Sequence, residues 1–177
     1  MRLRDRTKFA TYKRRGEWAE LVFITIAQGL GFNVAKPWGD SAKYDVSIEK
    51  NGWFLRVQVK STECWVGGSD GSYLCQLHGF DNRLYTPREV DYFACYVVPE
   101  DAWYIFPVAR LLGMSTVGLT PRLKGQKYAR YMEAWGLLTR RHVCQGKRTK
   151  MPSEKMRFNA MGRLTRRIIE RLEGPCY

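Results

Sequence analysis

A chain of 177 residues, 45% hydrophobic and 14% aromatic, is long enough for one cored domain and too short for two full ones. It contains no run of about 20 uninterrupted apolar residues, which excludes a membrane-spanning helix. Its net charge of +13 sits at the ends, with +6 in residues 1–15, +8 in residues 139–177 and −1 between them, a distribution that suits a polyphosphate partner because each phosphate contact releases counterions. The bland alternative is solubility or unspecific adhesion.

Residues 16–32 read as a helix, with Trp18, Ala19, Leu21, Val22, Phe23, Ile24, Ile26 and Ala27 apolar, ending at Gly29 and Gly31. Glu20 is the odd residue there, since its neighbours at i+3, i+4 and i+7 are Phe23, Ile24 and Ala27. A carboxylate on that stripe is driven toward the protein body, where it needs a cation. Residues 32–34 form a short strand, and Lys36-Pro37-Trp38-Gly39-Asp40 is turn chemistry. Residues 44–48 alternate as a strand, Asn51-Gly52 closes a tight hairpin, and residues 53–60 return. On the returning strand Arg56, Gln58 and Lys60 share one face, while Leu55, Val57 and Val59 enter the core. Asp45 and Ser47 share a face of the preceding strand, so Asp45, Gln58 and Lys60 converge.

Further strands are expected at residues 72–77, 92–98 and 103–106, the last two joined through Pro99-Glu100-Asp101. Helices are expected at residues 108–112 and 128–138. Residues 139–152 read as a basic loop. Residues 153–173 read as an amphipathic helix, with Met156, Met161, Leu164, Ile168 and Leu172 on one stripe and Arg157, Arg163, Arg166, Arg167 and Arg171 outside it. A helix followed by a mainly antiparallel run of strands and more helices predicts an α+β or mixed α/β fold.

These residues resemble the PD-(D/E)xK nuclease superfamily. The likeness runs through Gly16-Glu17-Trp18-Ala19-Glu20, Gly31-Phe32, Pro37-Trp38-Gly39-Asp40 with Tyr44-Asp45, and Val57-Gln58-Val59-Lys60-Ser61-Thr62. Within the superfamily the chain is most similar to the small endonucleases of bacterial group I introns, and more distantly to archaeal-type Holliday junction resolvases. The resemblance implies a restriction-endonuclease-like core at residues 16–138, between a basic arm at 1–15 and a basic extension at 139–177. It also implies a magnesium ion, replaceable by manganese, held by Glu20, Asp45, Gln58 and the Val59 carbonyl, with Lys60 activating water or stabilising the pentacovalent phosphate. Gln58 departs from the usual Asp or Glu, so this ligand would be a neutral carbonyl.

Double-stranded DNA is the expected partner. Arg14, Arg15, Lys43, Arg56, Lys124, Lys127 and Arg130 are candidate phosphate contacts; solvated charge is the other reading for Lys43 and Arg56, and for the last three a DNA-facing stripe and an exposed helix face weigh equally. Glu17 is a second acidic candidate or an exposed partner of Arg14, and Asp40 approaches the metal or only shapes its turn. His78 and His142 lack partners at ligand spacing, which speaks against a zinc or histidine-based nuclease. Five scattered cysteines (Cys64, Cys75, Cys95, Cys144 and Cys176), with no C-x-x-C pair, predict a reduced protein without a disulfide framework. With a charged N-terminus and no apolar leader, a cytoplasmic location is expected. Cutting both strands needs two active sites, hence a dimer or tetramer. Three activities remain open: a homing endonuclease, a resolvase of branched DNA, and a nucleic-acid-binding protein on a catalytically weakened scaffold.

Overall fold

The computed structural model describes residues 9–39, 41–68, 71–79 and 81–139. The expected helix and loop beyond residue 139, as well as Asp40, lie outside them. Helix α1 (Tyr12–Gly29) begins four residues earlier than the apolar pattern suggests, because Thr11 accepts the Arg14 N–H as a cap. That places Arg14 and Arg15 on the helix rather than in an arm. The chain leaves the helix through Gly31, whose φ of +79° lies in the left-handed region open to glycine.

A five-stranded sheet follows in the order β1 (Asn33–Ala35), β2 (Val46–Lys50), β3 (Trp53–Thr62), β6 (Tyr92–Val97), β7 (Ala102–Pro107). Asn51 and Gly52, both at positive φ, close the expected hairpin and fix Ser47 opposite Arg56. Strands β3 and β6 run parallel while the other neighbours in this sheet are antiparallel, so the sheet is mixed and mainly antiparallel, as expected. The crossover between them carries β4 (Trp65–Val66) and β5 (Ser72–Gln76), which join β8 (Thr116–Leu119) in a separate antiparallel sheet. The fold is α+β, with strands β4 and β8 too short to show in the sequence pattern.

Two cores cover the two faces of the large sheet. Ala19, Phe23 and Ala27 line one stripe of α1 and meet Val57, Val59, Tyr92, Ala94, Tyr96, Trp103 and Ile105. Tyr73, Cys75, Leu77, Val117 and Leu119 meet Phe93, Cys95, Val97, Tyr104 and Phe106 on the other. All six residues of β6 are therefore buried and its sequence shows no alternation. Phe23 is fully buried, with its ring 5.9 Å from Trp103 and 5.7 Å from Trp135. Phe23→Ala should lower stability by about 3–4 kcal/mol, read from urea unfolding.

Residues 128–138 are not the expected helix. Short 3-10 turns at Ala129–Tyr131 and Trp135–Thr139 flank a bridge from Met132 to Tyr104. Glu133, at φ 50°, donates its N–H to the Trp103 carbonyl at 2.8 Å, and its carboxylate accepts the Trp103 N–H at 2.6 Å. The segment spends these hydrogen bonds on the outer edge of β7, the last strand of the sheet, and so covers an edge that would otherwise be open. The region expected as a helix at 108–112 is likewise only a 3-10 turn, Val108–Arg110.

Candidate active site

Strand β2 begins only at Val46, opposite Val57, while β3 runs on to Thr62, and the site lies at that step. The Asp45 N–H donates to the Val57 carbonyl at 3.0 Å, the last rung between the two strands. Along β3 the next backbone groups on this edge belong to Val59 and Ser61. Asp45 Oδ2 takes the Val59 N–H at 2.8 Å and the Gln58 Nε2 at 2.7 Å. The side chain thus substitutes for the missing strand, and the Val59 carbonyl shares its edge. Arg15 closes the edge further along: its guanidinium donates to the Ser61 carbonyl and hydroxyl, each at 3.3 Å, and pairs with Glu63.

Glu20 reaches the same place from α1. Its Oε2 accepts from Lys36 Nζ at 2.5 Å, and its side chain is 19% exposed. Lys36 is held charged first by that hydrogen bond and then, against its partial burial, by the fields of Glu20, Asp45 and Glu17. Burial, reinforced by the Glu20 charge, pushes the Asp45 carboxyl up to about 6, although the Val59 N–H, Lys60 and Gln58 all favour its ionised form. Lys60 lies close enough to Asp45 for each charge to act on the other. Burial lowers its pKa, and the Asp45 charge opposes the shift. Its ammonium donates to the His78 carbonyl at 3.0 Å and the Tyr85 hydroxyl at 3.4 Å.

Glu20, Asp45, Gln58, Val59 and Lys60 therefore gather at one step in the sheet. Among the described residues, no three His, Cys, Asp or Glu side chains group to hold a metal; Gln58 stands where the family pattern has an acid. Magnesium fits the donors that are present: two carboxylates, one with its charge penalised by burial, and the backbone carbonyl of Val59. Gln58 presents its Nε2 to Asp45, so ligation through Oε1 needs the amide turned over. Oxygen facing oxygen is tolerated there only with a cation, or a proton on Asp45, between them.

The basic candidates separate. Arg14 and Lys43 are exposed, and Lys43 pairs with Asp81 at 3.5 Å. Arg56 is engaged within the fold instead of facing outward: it forks onto Asp91 through Nε at 3.0 Å and Nη2 at 2.9 Å, and reaches the Pro87 and Arg88 carbonyls. Lys124, Lys127 and Arg130 are exposed, but only Arg130 lies in a helical turn, Ala129–Tyr131, so their three-residue spacing defines no common helix face. Sequence patterns single out neither Lys36 nor Tyr85 as site residues: Lys36 opens the turn that runs to Asp40, and nothing local distinguishes Tyr85.

The family model described as PD-(D/E)XK endonuclease matches residues 10–138. Among solved structures, the bacterial homing endonuclease I-Ssp6803I resembles the chain with a TM-score of 0.62 and 29% identity, over 73% of this chain and 93% of that one. No curated protein matches the chain.

Proposed function

The chain belongs to the PD-(D/E)XK endonuclease family, and from that premise we propose that it is a magnesium-dependent DNA endonuclease of the homing type, cutting both strands of a long duplex site. The observation that carries the reading is Asp45, a carboxylate held on Gln58 and the Val59 N–H beside Glu20 and Lys60. The likeness to a bacterial homing endonuclease supports the type.

Glu20 and Asp45 would hold the ion through carboxylate oxygens, with the carbonyls of Val59 and a reversed Gln58 amide completing a hard donor set. When bound, magnesium supplies charge against the scissile phosphate and a water of lowered pKa. Lys60 would orient the attacking water and set its ammonium against the charge that grows on the phosphate oxygens. Arg14 and Lys43 offer exposed charge to the flanking backbone. Two copies of the chain, or four, bring an active site to each strand.

Single-turnover cleavage with magnesium tests the reading. Lys60→Ala should slow it by at least about 100-fold while leaving DNA affinity nearly unchanged. Variant and wild type cutting equally well would falsify the assigned role. Cleavage of four-way junctions regardless of sequence would favour a resolvase. Gln58 gives the non-catalytic reading its support, and tight DNA binding with no cleavage in magnesium or manganese would favour it. Light scattering of the DNA complex counts the subunits.

A further inference from the structure

The segment joining β5 to β6 holds Lys60 from two sides. Besides its bonds to the His78 carbonyl and the Tyr85 hydroxyl, the Lys60 ammonium lies 5.1 Å from the centroid of the Tyr85 ring. His78 and Leu84 form an isolated β-bridge, and the Gly79 N–H donates to the Arg83 carbonyl at 3.0 Å. A tight turn with Asn82 at φ 57° closes the loop between them. Two contacts seven residues apart in sequence are thereby brought to one ammonium group. The Tyr85 ring is braced in turn, edge-on against buried Phe93 at 5.6 Å, and Phe93 is the β6 partner of Gln58. At the tip of the loop, Asp81 accepts the Arg83 N–H and pairs with Lys43, two residues before Asp45.

We infer that Tyr85 is the positioning residue for Lys60: its hydroxyl end, together with the His78 carbonyl, holds the ammonium where the reaction uses it. This rests on the nuclease reading above. A lysine is a flexible stem carrying a point charge, and fixing it loses rotamer freedom unless several groups define one position. An ammonium 3.4 Å from the hydroxyl oxygen and 5.1 Å from the ring centroid lies at the hydroxyl end of the side chain, outside the perimeter of the ring. The hydroxyl is therefore the group that meets it, and the ring holds that hydroxyl in place.

The test compares Tyr85→Phe and Tyr85→Leu in single-turnover cleavage at saturating magnesium, with proton NMR of the Lys60 ε-methylene. The Phe variant should cleave about 5-fold more slowly than wild type and the Leu variant about 10-fold, both with unchanged affinity for DNA and magnesium. The ε-methylene protons, assigned by their loss in Lys60→Ala, should resonate at a different position in wild type than in the Leu variant. If Leu does not fold, Tyr85→Met provides the same ring-free comparison. Full activity in the ring-free variant, or one methylene position shared by wild type and that variant, overturns the positioning role. Wild-type cleavage by Lys60→Ala overturns the role of Lys60 itself, and the inference with it.

Discussion

Asp45→Asn should abolish cleavage and at the same time make the protein more stable when magnesium is chelated. The folded carboxyl titrates at about 6 against an ordinary 3.8. Between those values the folded protein keeps a proton that the unfolded chain has released, so stability falls as pH rises through this window. Above pH 6 the full penalty is present, about 3 kcal/mol. Asparagine removes the charge and can still accept the Val59 N–H through its side-chain oxygen. At pH 7.5 in chelator, the variant should melt on the order of 5 °C or more above wild type. Near pH 4 the two should converge. Magnesium should raise the melting point of wild type and leave the variant nearly unmoved, since only the first binds the ion strongly in its folded state. Cleavage should fall by at least about 1,000-fold, from loss of a charged ligand to the ion. Thermal melts at the two pH values, with and without magnesium, give the result directly. A variant less stable than wild type at pH 7.5 would show that Asp45 is satisfied by its hydrogen bonds and is not waiting for a cation.

Gln58→Glu separates ligand from spectator at the position where the family pattern is broken. The Gln58 Nε2 donates to Asp45 Oδ2 at 2.7 Å, and the residue is only 6% exposed. Glutamate would put an acceptor where that donor stands, and two buried carboxylates at such a separation cannot both ionise without a cation. In chelator the variant should lose about 2 kcal/mol or more at neutral pH, with the loss shrinking as pH falls. In magnesium the loss should reverse, because a third carboxylate oxygen suits a hard cation better than an amide carbonyl. Calorimetric titration should show magnesium bound at least about tenfold more tightly than by wild type. Equal destabilisation with and without the ion would remove Gln58 from the ligand set and leave it as a prop for Asp45.

Much of this centre was legible because it is local. The Asn51-Gly52 turn sets the register of β2 against β3, and that register alone puts Asp45 beside Gln58. Glu20 announced itself as a charge on the stripe of α1 that also carries Phe23 and Ala27. The family likeness then extended over residues 10–138. The helix expected at 128–138 was misplaced because its apolar residues serve two cores and its backbone bonds serve the edge of β7, demands that helical periodicity does not register.

Alternation, turn chemistry and a misplaced charge, each acting over a few residues, were enough for the sequence to determine the hairpin, the first helix and the acidic pair. The parallel pairing of β3 with β6, the second sheet, the Arg56–Asp91 fork and the grip of Tyr85 on Lys60 were decided only by the tertiary structure. The physical reason is separation along the chain: Lys60 and Tyr85 are 25 positions apart, and with β6 apolar on both faces no local pattern says which strand it pairs with or what its crossover delivers to the lysine.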